Sequence, residues 1–298
     1  MIPLAAATLA LNFARHPKEL CAVRVEIHNQ HVYVPVEFGG KVHLSFLLDS
    51  GAAASLNILD RTLASKLGVV AEGSGSASAI GGNAKIAFAK SVDLCILQLR
   101  LMPKRVAIMD LAGGRAQEGH AVDGLLGFAL FQAYVVQIDY PAAKLRLFAF
   151  DGQPMPRPDR ETVRLPLEVS NKNCMITAKI TLQKGAKAIP VRLILDTGLD
   201  TTVMLTSPFA RKHGLLVGKA TAGNGLGGAV SAREVSISDL AFDRNLHLRN
   251  IAVRASGDTE GAFSSPDVDG FIGGGVLENF VVTFDYKHRE LLLTPRKK

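Results

Sequence analysis

The sequence contains no tryptophan, only four tyrosines and only three cysteines among its 298 residues. A surface that stacks nucleic-acid bases needs aromatic side chains, so this shortage argues against nucleic-acid binding. The three cysteines, Cys21, Cys95 and Cys174, are odd in number and widely spaced. That spacing fits neither a disulfide framework nor the paired cysteines of a structural zinc site.

Long apolar runs are missing as well. No segment approaches the roughly 18 continuous apolar residues that a membrane-spanning helix needs, so we predict no transmembrane span. The segment Ile2 to Ala14 is apolar and alanine-rich, with the length of a signal-peptide core but without a basic start. A clipped or atypical signal peptide, within an N-terminal segment 1–20, and an ordinary N-terminal helix or strand both fit it. A periplasmic or secreted location is favoured over a cytoplasmic one.

The overall composition is that of a globular protein, with 48% hydrophobic and 20% charged residues. Lysine and arginine outnumber aspartate and glutamate by 34 to 27, and the resulting net charge of +7 is scattered along the chain. This charge favours solubility and a mild preference for anionic partners. At about 150 residues per domain, the length allows one large domain or two modest ones.

The chain contains an internal repeat. Asp49-Ser50-Gly51 recurs 147 residues later as Asp196-Thr197-Gly198, and two apolar residues precede each motif. Four further landmarks recur at an offset of 146: Gly68 and Gly214, Gly81-Gly82 and Gly227-Gly228, Asp123-Gly124 and Asp269-Gly270, Asp139-Tyr140 and Asp285-Tyr286. One such tripeptide is a weak signal because its residues are common in turns, but matched landmarks at one offset indicate a tandem duplication.

A proline-containing segment separates the two halves. Residues 151–160 contain three prolines at alternate positions and no apolar periodicity, which predicts an extended, fairly stiff linker. The predicted organisation is an N-terminal segment at 1–20, a first lobe at 21–150, a linker at 151–162 and a second lobe at 163–298.

The pattern within each half is mainly that of β-strands. In the first half, apolar segments from Val32 to Phe38 and from Val42 to Leu48 flank the turn signal Gly39-Gly40. One helix is predicted in each half, at Ile58–Leu67 and at Phe209–His213, because each of these segments ends at a glycine. We therefore predict a mostly-β protein of two related, barrel-like lobes with one short helix per lobe.

These features together resemble the aspartic peptidases, specifically the retropepsin-like branch in a single-chain, duplicated form. The resemblance covers roughly residues 23 to 293. It is carried by the two Asp-Ser/Thr-Gly motifs, by a glycine-rich segment downstream of each, and by an apolar-apolar-Gly triplet before a strand that ends in Asp-Tyr. It implies two closed β-barrel lobes of the acid-protease fold and a catalytic pair formed by Asp49 and Asp196.

The resemblance also implies roles for the neighbours of that pair. The hydroxyls of Ser50 and Thr197 would interlock the two loops, and Gly51 and Gly198 would permit a tight turn and close backbone approach. Two carboxyl groups held close together share one proton, which is the general property of aspartic-protease dyads. One group can then act as base and the other as acid when water attacks a peptide bond. No metal or other cofactor is implied.

Further residues are expected to bind substrate. The resemblance places flap hairpins at the glycine-rich segments, which predicts substrate contacts from Ile80, Gly81, Gly82, Leu226, Gly227 and Gly228. Plain surface turns are the simpler alternative for both segments. Asp200 matches a position where the family has an aspartate that contacts the substrate backbone, whereas Ala53 stands there in the first half. A loop-capping carboxylate or an ion pair with an arginine is the alternative role for Asp200.

The sequence therefore predicts a monomeric aspartic endopeptidase that cuts extended peptides or proteins in a cleft between two lobes of one chain. The alternative is a catalytically weak or inactive peptide-binding module of the same fold. No nucleic-acid partner is expected.

Overall fold

The computed structural model describes residues 17–52, 56–90, 92–101, 105–113, 119–150, 153–170 and 173–296. The apolar segment Ile2–Ala14, and with it the question of a signal peptide, lies outside these residues. Ala53 and the first two residues of the predicted linker lie outside them as well.

Strands dominate both halves of the chain. The first half contains β1 (Glu19–Arg24), β2 (Glu26–His28), β3 (His31–Phe38), β4 (Val42–Leu48), β5 (Asn57–Asp60), β6 (Ala71–Ala79), β7 (Gly82–Lys90), β8 (Leu94–Ile96), β9 (Leu99–Leu101), β10 (Arg105–Met109), β11 (Gly124–Leu126), β12 (Val135–Asp139) and β13 (Lys144–Phe148). The second half contains β14 (Val163–Pro166), β15 (Glu168–Val169), β16 (Cys174–Thr181), β17 (Ile189–Leu195), β18 (Val203–Leu205), β19 (Thr221–Gly225), β20 (Gly228–Ala241), β21 (His247–Ser256), β22 (Gly270–Ile272), β23 (Phe280–Asp285) and β24 (Glu290–Pro295). The prediction of a mostly-β fold is confirmed.

In the part of the chain that the structure describes, short helices interrupt the strands at both predicted places and elsewhere. They are α1 (Arg61–Lys66), α2 (Phe128–Ala133), α3 (Ser207–Lys212) and α4 (Gly274–Leu277), with a 3-10 helix at Ala262–Ser264. The predicted Ile58–Leu67 helix was too long at its start, because its first residues belong to β5 and the Asp60 carboxylate caps α1. The sequence did not predict α2 and α4, since neither has a capping side chain at its start or a glycine at its end. None of the described helices is long and apolar enough to cross a membrane.

The two halves place their central strands in the same order. In the first half β4 pairs in parallel with β11, β11 antiparallel with β5, and β5 in parallel with β10. In the second half β17, β22, β18 and β21 repeat the same series of pairings. On their other sides β4 pairs with β3 and β17 pairs with β16, so both strands have neighbours on both sides. The residues that follow them, Asp49 and Asp196, therefore leave the sheet in its interior rather than at its edge.

In each half, the strand that leads to the aspartate motif, its parallel neighbour and the next strand (β4, β11 and β5; β17, β22 and β18) are called the strand crossing below. One aspartate fixes the strand crossing in each half. The Asp123 carboxylate accepts a hydrogen bond from the Ser45 amide at 2.9 Å, and the Asp123 amide donates to the Ser45 carbonyl at 2.8 Å. Asp269 makes the same two bonds with Arg192, at 2.8 and 2.9 Å. These repeated aspartates are structural, because they hold the start of β11 and β22 beside the strands that lead to Asp49 and Asp196.

A six-stranded sheet joins the two halves. Its order is β1-β13-β12-β23-β24-β14, so each half contributes three strands. The central strands β12 and β23 run antiparallel with Gln137 opposite Thr283, and the Gln137 side-chain amide donates to the Thr283 hydroxyl at 3.0 Å. The two halves are thus connected by main-chain hydrogen bonds as well as by the linker.

Aromatic side chains extend the apolar core across the two halves. Phe131 on α2 is fully buried, and its ring lies 5.1 Å from the Phe284 ring and 5.6 Å from the Tyr286 ring, both in the second half. The Phe128 ring lies 5.3 Å from Tyr286. Each half therefore buries apolar surface that would be exposed without the other.

We expect Phe131→Ala to reduce the free energy of unfolding by about 3–5 kcal/mol, because it removes a fully buried ring that packs against both halves. Denaturation by urea measures this change. Val70→Ala, at a position that is 76% exposed, is the control and should change the free energy by less than about 0.5 kcal/mol. A loss below about 1 kcal/mol for Phe131→Ala would contradict the packing described above.

Candidate active site

Asp49 and Asp196 lie at the ends of β4 and β17, where the neighbouring parallel strand holds them. The Asp49 amide donates to the Leu126 carbonyl at 2.9 Å, and the Asp196 amide donates to the Ile272 carbonyl at the same distance. Each aspartate is therefore anchored by its main chain to the strand crossing of its own half.

The loops that carry the two aspartates are joined by four reciprocal hydrogen bonds. The Ser50 amide donates to the Thr197 hydroxyl, and the Thr197 amide donates to the Ser50 hydroxyl, both at 3.0 Å. The Ser50 hydroxyl donates to the Leu195 carbonyl at 2.8 Å, and the Thr197 hydroxyl donates to the Leu48 carbonyl at 2.7 Å. Ser50 and Thr197 are fully buried, so these bonds are shielded from water. They bring together the two motifs that the sequence places 147 residues apart.

Gly51 and Gly198 leave room for the opposite carboxyl group. A Cβ atom added at Gly51 would lie 2.3 Å from Cγ of Asp196, and one added at Gly198 would lie 2.6 Å from Cγ of Asp49. No real side chain tolerates such distances. Glycine is therefore required at both positions for the two carboxyl groups to approach each other.

Main-chain amides orient the two carboxyl groups, which are also hydrogen-bonded to each other. Oδ1 of Asp49 accepts a hydrogen bond from the Ala52 amide at 2.8 Å. Oδ1 of Asp196 accepts one from the Gly198 amide at 3.0 Å. Each carboxyl group thus has one oxygen fixed by its own loop.

Burial raises the pKa of both carboxyl groups. For Asp49, loss of solvent is the largest cause, and the Ala52 amide opposes it. Burial is also the largest cause for Asp196, and the negative charge of Asp49 raises its pKa further, to well above the usual range. The hydrogen bond between the two groups raises the pKa of Asp196 and lowers that of Asp49. The pair therefore holds a proton more readily than two separate aspartates would.

Two β-hairpins carry the predicted flap residues. The first flap is β6–β7 with its turn at Ile80-Gly81, and the second flap is β19–β20 with its turn at Leu226-Gly227. Their tips meet: the Gly227 amide donates to the Ile80 carbonyl at 2.8 Å, and a Cβ atom added at Gly81 would lie 2.2 Å from the Gly228 carbonyl oxygen. These segments are therefore not isolated surface turns, because each tip packs against the other.

Two apolar clusters lie between the strand crossings and the flaps. The first apolar cluster is built around Tyr33, Leu47, Met109 and Leu125, and the second around Met175, Met204, Phe263 and Phe271. Leu226 of the second flap packs against the first cluster, and Ile80 of the first flap packs against the second. The flaps therefore cross, since the tip of each reaches the cluster of the opposite half.

Asp200 lies four residues beyond Asp196 and is exposed. Among the described residues its side chain makes no hydrogen bond or ion pair, so neither a loop-capping role nor a pairing with an arginine is present there. Its contact with a substrate backbone stays a prediction. The preceding residue, Leu199, is buried in the second apolar cluster, whereas its counterpart Ala52 is not part of the first.

Sequence reasoning missed His31. Its imidazole is buried, packs edge-on against the Tyr33 ring, and its positive charge when protonated lowers the pKa of Asp49. The signal that could have found it is the hairpin register: Tyr33 pairs with Leu47, so the residue two positions before Tyr33 faces the residue two positions after Leu47. No group of three or more potential metal ligands occurs in the part of the chain that the structure describes.

Comparisons with known proteins agree with this architecture. Residues 34–130 match the family model for aspartyl proteases, which covers the first motif and the first flap but not the second half. An aspartic proteinase from Irpex lacteus has a similar structure over 92% of this chain and 97% of its own, with a TM-score of 0.58 and 13% sequence identity. No curated protein matches the sequence. The chain therefore has the two-lobed fold of the aspartic peptidases, and the predicted resemblance is confirmed.

We expect Thr197→Val to reduce the free energy of unfolding by about 2–5 kcal/mol, since it leaves the buried Ser50 amide and Leu48 carbonyl without a partner. Thr197→Ser keeps the hydroxyl and is the matched control, whose free energy of unfolding should fall far less. Chemical denaturation of both variants checks the difference. Equal losses would show that the hydroxyl bonds contribute little and that the methyl group of Thr197 matters instead.

The raised pKa values predict how Asp196→Asn changes stability with pH. A folded state that holds protons more tightly than the unfolded chain loses stability as pH rises from about 4 through the raised pKa values. Asn cannot ionise, and it also removes the charged neighbour of Asp49. The variant should therefore lose less stability than the wild type as pH rises. Asp196→Asn should therefore gain stability relative to the wild type between pH 4 and pH 7, as measured by thermal denaturation. Asp267→Asn, at an exposed position, is the control and should show no such gain. If the stability difference between Asp196→Asn and the wild type were the same at pH 4 and at pH 7, the raised pKa values would be contradicted.

Proposed function

We propose that the protein is an aspartic endopeptidase that hydrolyses extended peptides or proteins bound between its two halves. The observation that carries this proposal is the pair of hydrogen-bonded carboxyl groups of Asp49 and Asp196, held together by Ser50 and Thr197. The match to the aspartyl protease family and the similarity of the fold support a peptidase.

One carboxyl group of the pair is proposed to act as the base and the other as the acid, with Asp49 taken as the ionised group. Ionised Asp49 accepts a proton from a water molecule as the water oxygen bonds to the carbonyl carbon of the peptide, and Asp196 donates its proton to the carbonyl oxygen. The product is a neutral tetrahedral diol. Asp49 then passes its proton to the amide nitrogen, the C–N bond breaks, and one diol hydroxyl returns its proton to Asp196. One water molecule is consumed, and the pair regains its single proton.

Peptide binding is proposed to use the flaps and the apolar clusters. The flap turns at Ile80-Gly81 and Leu226-Gly227 would offer main-chain hydrogen bonds to an extended peptide, as strands do to an added strand. The first and second apolar clusters would accept apolar side chains on either side of the cleaved bond. Asp200 is exposed beside Asp196 and would contact the substrate backbone on that side only.

A single chain is proposed to be sufficient for activity. Both carboxyl groups lie on one polypeptide, and the six-stranded sheet connects the halves that carry them. Linking the halves makes their association intramolecular, with an effective concentration of the order of millimolar. The alternative function is a peptide-binding module that keeps the same cleft but turns substrate over weakly or not at all.

We expect Asp49→Asn and Asp196→Asn each to reduce turnover by about a thousandfold or more, and the double variant to be no worse, because the two carboxyl groups act as one unit. Cleavage of an unfolded protein, followed by mass spectrometry, measures this effect. A peptide inhibitor with a hydroxyl-bearing carbon in place of the scissile carbonyl should block the wild type. Asp267→Asn makes the same chemical change at an exposed position and should keep full activity.

Other outcomes separate the alternatives. A wild type that binds the inhibitor but cleaves nothing would favour the binding module. If either active-site variant kept most of its turnover, that aspartate would not be catalytic. Activity should also trace a bell against pH, since the pair must hold one proton, and its limbs belong to the pair rather than to either residue. Activity that kept rising into alkaline pH would instead indicate a thiol or serine nucleophile.

A further inference from the structure

We propose that residues Ser256–Ser264 of the second half hold the tip of the first flap in place, with Gly261 as the positioning residue of that contact. This segment is called the clasp below. The proposal rests on the proposed function, because it concerns how one flap is placed for peptide binding.

One end of the clasp is fastened to the second flap. The Gly257 amide donates to the Ser231 carbonyl at 2.7 Å, and Oδ1 of Asp258 accepts a hydrogen bond from the Ser231 amide at 2.8 Å. The Asp258 amide donates in turn to the Ser256 hydroxyl at 3.0 Å. Ser231 lies on β20, so the clasp is fixed to a strand of the second flap rather than to its tip.

The other end of the clasp is anchored in the apolar interior. Phe263 is fully buried, and its ring packs edge-to-face on Phe271 with the ring centres 5.2 Å apart. The Ser264 amide and hydroxyl both donate to the Gly261 carbonyl, at 3.1 and 2.9 Å. Gly261 is thus held between two fixed points of the second half, and its position follows from theirs.

Gly261 lies directly against the main chain of the first flap. A Cβ atom added at Gly261 would lie 2.4 Å from the Ala79 carbonyl oxygen and 2.5 Å from the Gly82 amide nitrogen. Ala79 and Gly82 are the pair of residues that close the turn of the first flap. Gly261 also has a φ of +76°, a conformation that other residues adopt only with strain. Both the contact and the backbone conformation therefore require glycine.

The first flap is consequently held from two sides. On one side its Ile80 carbonyl accepts the hydrogen bond from the Gly227 amide of the second flap, and on the other side Gly261 packs against its turn. Atoms added at Gly225, Gly227 and Gly228 of the second flap tip would meet the main chain of the first flap. Side-chain packing does not distinguish the flaps, since Ile80 and Leu226 each pack against the cluster of the opposite half. The clasp therefore links a strand of the second flap to the turn of the first flap, and Gly261 fixes the position of that turn.

Hydrogen exchange measured by mass spectrometry on the full chain tests this proposal with Gly261→Ala. Gly218→Ala is the matched control, because Gly218 has a φ of +79° and no atom within 4 Å of an added Cβ, so that it imposes the same backbone strain without the contact. In Gly261→Ala, exchange at residues 79–82 should rise by about tenfold and by more than at residues 225–228, whereas Gly218→Ala should leave both unchanged.

Two results would overturn the proposal. One is exchange at 79–82 that is the same in Gly261→Ala as in Gly218→Ala, and the other is an equal rise in both flaps. If the wild type cleaves peptides, Gly261→Ala should raise KM by several-fold with a smaller change in kcat, because the flap acts in binding. A wild type that cleaves nothing would overturn the proposed function, while the exchange measurement would still decide on the clasp.

A second variant keeps the test decisive if Gly261→Ala does not fold. Asp258→Ala removes the acceptor for the Ser231 amide and loosens the clasp without touching the first flap. It should raise exchange at 79–82 relative to Asp267→Ala, an exposed control a few residues away. No difference between these two variants would overturn the proposal.

Discussion

The candidate site depends on the reciprocal hydrogen bonds between Ser50 and Thr197. Each hydroxyl accepts a bond from the opposite amide and donates to a carbonyl of the opposite strand, so neither loop can shift without leaving buried polar groups unpaired. Because both residues are fully buried, such a loss would be costly. The aspartates that precede them are thereby fixed relative to each other, and the two glycines that follow allow their carboxyl groups to approach.

The rest of the fold serves to present the two loops to each other. The strand crossings place each aspartate in the interior of its sheet, and Asp123 and Asp269 hold those crossings in register. The six-stranded sheet that both halves share and the aromatic contacts around Phe131 keep the halves in one orientation. Burial then raises the pKa of both carboxyl groups, which is the electrostatic condition for sharing a proton.

The two halves contribute equivalent residues to the paired Asp-Ser/Thr-Gly loops, but the residues around those loops differ between the halves. Ser50 and Thr197 make equivalent bonds, yet Leu199 belongs to the second apolar cluster whereas its counterpart Ala52 is not part of the first. His31 lies near Asp49 and lowers its pKa when protonated, and the clasp contacts the first flap from the second half. Under the proposed function, the two sides of an asymmetric peptide would meet these different surroundings.

Local patterns were sufficient to predict the duplication, the mostly-β fold and the two Asp-Ser/Thr-Gly motifs. Strand periodicity, turn residues and capping signals act over a few residues, so the sequence displays them directly. Such local patterns also led to one wrong boundary. The predicted start of α1 was too early because the apolar residues Ile58 and Leu59 suit a helix as well as the strand β5 that they form. The helices α2 and α4 were missed because neither has a capping side chain at its start or a glycine at its end, the local signals on which the other two helices were predicted.

Tertiary structure alone decided which distant segments touch. The bond between Gly227 and Ile80, the packing of Gly261 against the first flap and the position of His31 near Asp49 all join segments whose relative placement no local pattern encodes. The same holds for the pKa values of the two carboxyl groups, which follow from burial and from a neighbour 147 residues away. The sequence specified which residues have the chemistry of the site, and the packing of the two halves specified their distances, their burial and their charge.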